Sequence, residues 1–301
     1  MSAASAPASA GSAARAEPKA ASKRKKVPGA KTPWWLWIAV AAIVIFCLLP
    51  FYWLVNISLK TGADLSGSDI FPPSPSLDNY TSIFENSSFT KALRNSAIVS
   101  LVTTFLGIVV GSFAAYALAR LRMRGKAILL AIVLSITTFP QIAIAAPLFR
   151  LWADIGLYNT LIGLVIPYLT FALPLSIYIL VSFFREIPKD LEEAALVDGA
   201  THFEAFRKVV VPLAAPGLAT TAILTFIAAW NEFLLATTLT TSPSARTTPV
   251  AISQFTGSSQ FEVPLGTQSA ASVVISIPLI ILVLLFQKRI VAGLTAGAVK
   301  G

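Results

Sequence analysis

Charged and helix-capping residues are concentrated in one short stretch of this otherwise apolar chain. Pro188 is placed to open a helix, and the acids that follow it complement the partial positive charge of a helix N-terminus. Asp198 and Gly199 should end that helix, because glycine favours the backbone conformation of such a turn. Thr201 and Glu204 have the spacing of a capping box, which predicts the start of a second helix.

This polar segment, residues 185–215, is therefore predicted to fold as two short helices joined by a turn. One face of the second helix is apolar at i, i+3, i+6 and i+7, and it consists of Phe203, Phe206, Val209 and Val210. Pro212 should end this helix, since proline has no backbone N–H to donate. The hairpin either lies on a membrane surface or docks into a groove of a protein partner. Spacing alone leaves both interpretations open.

A second candidate site is Trp230-Asn231-Glu232, where Glu232 is the one acidic residue well inside a long apolar segment. Placing such a group in a bilayer costs at least ~2.5 kcal/mol, so it normally faces protein or water. An aromatic ring next to hydrogen-bonding groups could stack on and orient a polar ligand in a transport pathway. The alternative is a structural contact to a neighbouring helix, or a group near the end of the span.

Residues for enzyme chemistry are scarce. The chain has no G-x-x-x-x-G-K-[ST] phosphate loop, so ATP binding by that route is not expected. The single cysteine, Cys47, and the single histidine, His202, exclude a cysteine cluster and a multi-histidine metal site. We therefore expect no catalytic residues, no metal and no cofactor in this chain.

Six long apolar segments position these residues. They span 34–56, 92–119, 127–149, 160–184, 217–240 and 267–287. Each exceeds the ~20 residues that cross a hydrocarbon core of roughly 30 Å. Charged residues make up only 12% of the chain, and its mean hydropathy is +0.75. The sequence predicts an all-α integral membrane protein with six transmembrane helices.

Lysine and arginine predict the orientation of these spans. With the N-terminus inside the cell, 18 of the 23 lysines and arginines lie in cytoplasmic segments, as the positive-inside bias requires. Both termini should therefore be cytoplasmic. A disordered basic tail, 1–33, precedes a transmembrane domain over 34–301. Two long outer loops are expected, 58–91, which should be largely extended, and 241–266, which is long enough to reach a partner or fold back.

The hairpin carries a resemblance to a known family. Glu193-Ala194-Ala195, Asp198-Gly199-Ala200 and Pro212 resemble the EAA motif of ABC-importer permeases, with valine at 209 and 211 where isoleucine and leucine are usual. Trp230-Asn231-Glu232-Phe233 and the C-terminal 291–301 are similar to the shorter permease of maltose-type carbohydrate importers. The likeness covers roughly 35–301 and is closest to the second permeases of actinobacterial trehalose importers.

The resemblance implies roles for particular residues. The hairpin would be a coupling helix seated on an ATPase subunit, with Glu193 paired to a basic residue there and Gly199 making the turn. The implied ATPase-coupling residues are Glu193, Ala194, Ala195, Asp198, Gly199, Ala200, Arg207 and Pro212. The implied substrate-pathway residues are Trp230, Asn231 and Glu232. An outer loop that contacts a binding protein would be formed by Gln254, Phe255, Thr256, Gly257, Ser258, Ser259 and Gln260.

The implied function is that of a permease subunit in the bacterial cytoplasmic membrane, with the type I ABC-importer fold. Its partners would be a second permease, two ATPase subunits that hold ATP and Mg²⁺, and an extracytoplasmic sugar-binding protein. The cargo would be trehalose first and maltose-like sugars next, with glycerol phosphate, another oligosaccharide or a polyamine as alternatives. A secondary transporter would favour intramembrane charge pairs or inverted repeats, and the sequence has no clear example of either.

Overall fold

The computed structural model describes residues 33–255 and 264–296, with only the backbone described at 63 and 288–296. The described residues form helices and turns and no strand. The helices are α1 (Trp34–Ser58), α2 (Asp78–Glu85), α3 (Ser87–Arg120), α4 (Lys126–Ser135), α5 (Gln141–Asp154), α6 (Leu161–Glu186), α7 (Lys189–Val197), α8 (His202–Ala205), α9 (Val211–Leu213), α10 (Ala215–Trp230), α11 (Leu234–Leu239), α12 (Thr248–Ser253) and α13 (Leu265–Ala296).

Four of these helices, α1, α3, α6 and α13, are long and apolar enough to cross a membrane. Two further pairs meet the same criterion together but are bent, by 87° between Lys126–Thr138 and α5 and by 77° between His202–Leu213 and α10. If each bent pair counts as one span, the described residues contain up to six spans. The six-segment prediction fits this upper number, although two of the segments are broken.

Pro140 accounts for the position of the bend between Lys126–Thr138 and α5. Pro140 caps the N-terminus of α5, and the residue before it, Phe139, has an extended backbone with ψ 129°. A residue before proline disfavours the helical region, because the proline ring clashes with its backbone. The helix therefore stops before Pro140 and restarts after it in a new direction.

The core of the described chain is formed by α3, α6 and α10. Small residues let these helices approach closely: an added Cβ at Gly111 would stand 3.4 Å from the Cβ of Ser176. The hydroxyls of Ser176 and Thr225 join α6 to α10 at 3.0 Å. Close packing with shared hydrogen bonds makes these three helices one rigid group.

The chain divides by its contacts into two compact units, Met1–Cys47 and Leu48–Gly301. In the first unit the residues from Trp34 onward are helical, and its large apolar side chains are exposed, with Phe46 at 80%. Apart from Pro33, the predicted basic tail lies outside the described residues.

The loop 58–91 is not largely extended, and that prediction is wrong. It contains a 3₁₀ turn at Gly62–Ser66 and helix α2, and α3 begins before the loop was expected to end. Lys60 is 1% exposed, and its ammonium group donates to the carbonyls of Gly67 and Asp69 at 3.3 and 2.9 Å. Because these bonds fold the loop over Lys60, a chain predicted to be extended becomes compact.

Candidate functional site

The polar hairpin predicted at 185–215 is present. Helix α7 follows Pro188, and its first turn carries Asp190 and Glu192. Gly199 ends the turn with φ +91°, a conformation that L side chains rarely adopt. No atom lies within 4 Å of a Cβ built there, so the requirement for glycine comes from the backbone and not from lack of space.

The second half of the hairpin begins with the predicted capping box. The Thr201 hydroxyl accepts from the backbone N–H of Glu204 at 3.2 Å, and the Glu204 carboxylate accepts from the backbone N–H of Thr201 at 3.0 Å. Lys208 donates to the same carboxylate at 3.0 Å. The Thr201 N–H and then Lys208 lower the pKa of Glu204 to about 2. The carboxylate is therefore charged at neutral pH and can accept the hydrogen bonds of the capping box.

The second helix runs from His202 through a π turn at Phe206–Val210 to Leu213, which agrees with the predicted end at Pro212 to within one residue. Phe203 and Phe206 of the predicted apolar face both pack against Phe113, but Phe203 is 58% exposed, whereas Phe206 is 6% exposed. The Phe206 ring lies 5.3 Å from Phe113 and anchors the hairpin to α3.

Most of the residues predicted to meet an ATPase lie on the open side of this hairpin. Val197 is 87% exposed at the end of α7, and Ala195 and Ala200 are half-buried. The exposed members of the predicted set are Glu193, Ala194, Asp198, Gly199, Arg207 and Pro212. Glu193, Ala194, Asp198 and Gly199 form an exposed ridge at the turn, whereas Arg207 and Pro212 lie in the second half of the hairpin.

Sequence reasoning missed the residue that attaches α7 to the rest of the chain. Glu192 is 8% exposed; it accepts a hydrogen bond from the Tyr116 hydroxyl and forms an ion pair with Arg120, whose Nε lies 3.2 Å from Oε2. Arg120 also donates to the carbonyl of Ile187 at 2.8 Å. Nothing in the spacing of the sequence links residue 120 to residue 192. The sequence offered only two separate signals: Arg120 at the predicted cytoplasmic end of a span, and the consecutive acids Glu192 and Glu193 in the hairpin.

The predicted pathway residues lie at a break between α10 and α11 and do not converge. Trp230 is buried, donates to the carbonyl of Ile275 at 3.1 Å and therefore faces α13. Asn231 is exposed and donates to the carbonyl of Ile227 at 2.9 Å. Glu232 accepts from two backbone N–H groups at the start of α11, at 2.7 and 3.0 Å. Its carboxylate is thus the cap of a short helix.

Glu232 also lines a cavity of about 180 Å³ between α6 and α10. Its wall is mostly apolar, with the polar groups Gln141, Tyr168, Thr225 and Glu232. Tyr168 is 4% exposed and lines the same cavity as Glu232. An apolar cavity with a few convergent polar groups is the usual form of a site for a small polar molecule. We call it the α6–α10 cavity.

The predicted binding-protein loop is described only in part. Gln254 and Phe255 follow α12, and the Phe255 ring packs 5.9 Å from Phe89. The other members, 256–260, lie outside the described residues, as do 297–301 of the C-terminal segment. Ahead of this loop, residues 242–248 fold back onto α3, because Asn95 donates to the carbonyls of Pro243, Ser244 and Arg246 at 3.0–3.2 Å.

Comparisons with known proteins place this architecture in a family. Residues 107–295 match the family described as binding-protein-dependent transport system inner membrane component. The trehalose transport system permease protein SugB of Mycobacterium tuberculosis (strain CDC 1551 / Oshkosh) is 53% identical over 266 residues, which cover 88% of this chain and 97% of that protein. The sulfoquinovosyl glycerol transport system permease protein SmoH of Agrobacterium fabrum (strain C58 / ATCC 33970) is 43% identical over 266 residues, which cover 88% and 93%.

A solved structure gives the same fold. One chain of a bacterial ABC transporter involved in the import of the acidic polysaccharide alginate matches with a TM-score of 0.69 at 24% identity, over 84% of this chain and 94% of that one. The predicted fold class and the resemblance to maltose-type permeases are both confirmed. This chain belongs to the family of binding-protein-dependent transport system inner membrane components and is a multi-pass membrane protein of the ABC-importer permease type.

Proposed function

We propose that this chain is one of two permease subunits of an ABC importer that moves a disaccharide, trehalose first and maltose-like glucosides second, into the cell. The observation that carries the proposal is the hairpin at 185–215, whose EAA-type ridge is exposed and whose opposite side is fixed to α3. A relative of 53% identity that is named a trehalose permease supports the choice of cargo.

Energy for transport enters through the hairpin. Two ATPase subunits bind ATP and Mg²⁺, and each presents a cleft to one permease. Glu193 and Asp198 on the exposed ridge meet basic groups of that cleft, and Val197, at 87% exposed, supplies apolar contact. Buried apolar anchors surrounded by charged groups are the usual composition of such an interface. No group of this chain is assigned a role in ATP hydrolysis.

The proposed orientation places both termini and the hairpin in the cytoplasm. It follows from the lysine and arginine bias of 18 in 23. The loops 58–91 and 241–266 then face a sugar-binding protein outside. Gln254 and Phe255, with residues 256–260, form the loop that enters this protein's cleft, and the C-terminal segment contacts the ATPases.

Sugar passes beside the α6–α10 cavity. Glu232, Gln141 and Tyr168 offer acceptor and donor groups to hydroxyls, and Phe171 lines the same wall with an aromatic ring. Asn231 is exposed next to Glu232 and joins this path. Trp230 packs behind the residues of this path, because its indole N–H donates to the carbonyl of Ile275 in α13.

A second cargo class has its own support. The relative from Agrobacterium fabrum is named for a glycoside of glycerol, and it covers as much of this chain as the trehalose permease does. A glycoside that carries a glycerol group is therefore the alternative substrate.

The test is uptake of radiolabelled trehalose by the complete complex, reconstituted in vesicles with its second permease, ATPases and binding protein. We expect ATP-dependent accumulation that unlabelled trehalose suppresses more strongly than maltose or a glucosyl glycerol. The matched control is the same complex with a hydrolysis-deficient ATPase, which should accumulate nothing. Stronger suppression by the glucosyl glycerol would replace trehalose with the alternative cargo, and absence of ATP-dependent uptake of any glycoside would refute the proposed function.

A further inference from the structure

The buried ion pair between Arg120 and Glu192 is the attachment point of the hairpin. The two side chains are 4% and 10% exposed, so both charges are largely removed from water. Burying charges is unfavourable unless they are paired and their remaining hydrogen-bonding groups are satisfied. Here the Tyr116 hydroxyl donates to Glu192 and Arg120 donates to the Ile187 carbonyl, whereas the Arg120 Nε faces Glu192 in the ion pair without a hydrogen bond.

Arg120 therefore holds the hairpin at two points. One is Ile187, just before α7 begins, and the other is Glu192, in the first turn of α7. Tyr116 lies one helical turn earlier on α3 and also packs against Phe206 in the second half, at 4.9 Å between ring centroids. The last two turns of α3 thus contact the hairpin before α7, within α7 and in its second half.

The opposite end of α3 is attached in a comparable way to the segment before α12. Asn95, 6% exposed, donates to three carbonyls of residues 243–246. The Ser96 hydroxyl accepts from the backbone N–H of Thr248 at 2.8 Å. Between Asn95 and Arg120, α3 is one uninterrupted helix without proline, and this distance is about 38 Å at 1.5 Å per residue.

We propose that Tyr116, Arg120 and Glu192 are positioning residues that lock the hairpin to α3, so that a displacement of the hairpin moves the segment 242–248 at the far end of the same helix. The inference rests on the proposed function, since it assigns the hairpin as the entry point of force. A continuous helix held by buried polar bonds at both ends can transmit such a displacement, because neither end can move without breaking them.

The test compares variants of the complete reconstituted complex by sugar transported per ATP hydrolysed. Glu192→Gln and Arg120→Gln each remove the charge pair, and Tyr116→Phe removes only its hydrogen bond. The matched control is Arg122→Gln, an exposed arginine two residues further along. We expect a fall of about tenfold in the transport-to-hydrolysis ratio for the two charge variants, a smaller fall for Tyr116→Phe and no change for the control.

A second measurement separates positioning from simple stability. Amide hydrogen exchange in 242–248 should change on ATP binding in the wild-type complex and should not change in Arg120→Gln. The conservative variant Arg120→Lys should retain a ratio within about threefold of wild type, because an ammonium group can still pair with Glu192. This conservative variant also provides the readout if the variants that remove a charge do not assemble.

The outcomes distinguish this inference from the proposed function. A wild-type complex without ATP-driven glycoside uptake refutes the proposed function. A wild-type complex that transports, together with charge variants of unchanged ratio and unchanged hydrogen exchange, refutes only the positioning role. An Arg120→Lys complex that assembles but is as uncoupled as Arg120→Gln has the same consequence for the positioning role.

Discussion

Replacing Gly199 tests whether the turn of the hairpin must keep its shape. Its φ of +91° is unfavourable for residues with a Cβ, and a left-handed conformation costs them roughly 1–2 kcal/mol. A Cβ at this position would meet no atom within 4 Å, so the whole effect is backbone strain. Gly199→Ala should therefore destabilise the turn by about 1 kcal/mol, and Gly199→Val by more, because β-branching restricts the backbone further.

The chain contains a matched control for this strain. Gly125, before α4, has φ +81° and equally open surroundings. Gly125→Ala should lower the melting temperature about as much as Gly199→Ala, but only the variants at 199 should weaken capture of the ATPase subunits and sugar uptake. Gly199→Asn should recover much of the loss, since asparagine tolerates positive φ. Normal ATPase capture and normal uptake by Gly199→Val would refute the docking role of the hairpin.

Four further predictions follow from single contacts. Glu232→Gln leaves one N–H of α11 without an acceptor, so we expect a loss of about 1 kcal/mol in thermal unfolding and reduced uptake; wild-type uptake would remove Glu232 from the pathway. Gly217→Ala places a Cβ 2.3 Å from the Phe183 ring, and overpacking should cost about 1–3 kcal/mol by the same assay. Asn95→Ala leaves three carbonyls unpaired, and proteolysis of the segment before α12 should accelerate; an unchanged cleavage rate would contradict this. The pKa of Glu204 is lowered, so its contribution to stability is complete above the ordinary value of 4.5 and is lost only as pH falls towards about 2; the effect of Glu204→Gln on unfolding should therefore be equal at pH 6 and pH 8.

The sequence was sufficient for features governed by local chemistry. Span positions follow from apolar length, the Thr201 cap follows from the preference of hydroxyls for N–H groups, and the turn follows from glycine. The π turn at Phe206–Val210 was not predictable, because it depends on how Phe206 packs between α3 and α6. The compact loop around Lys60 was missed for a similar reason. Lys60 donates to backbone carbonyls, and because every residue has a carbonyl, no residue type in the sequence indicates these contacts.

The candidate functional site also has one part that the sequence predicted and one part that it did not. The exposed ridge of the hairpin could be predicted from a motif, because its residues are close together in the sequence. The side that faces α3 could not, because the Arg120–Glu192 pair joins residues 72 positions apart. Only the fold brings them together, and both acids at 192 and 193 look alike until one of them is found buried.

Helix ends explain where this apolar protein can hold charge. Glu192 lies in the first turn of α7 and Arg120 in the last turn of α3, so each faces the helix dipole of opposite sign as well as the other. Glu232 lies at the N-terminus of α11, where two N–H groups that lack helical partners bind its carboxylate. A continuous helix through 231–233 would use those N–H groups internally and leave the carboxylate unpaired. The break after α10 therefore supplies the N–H groups that bind this acid, and the acid in turn stabilises the break.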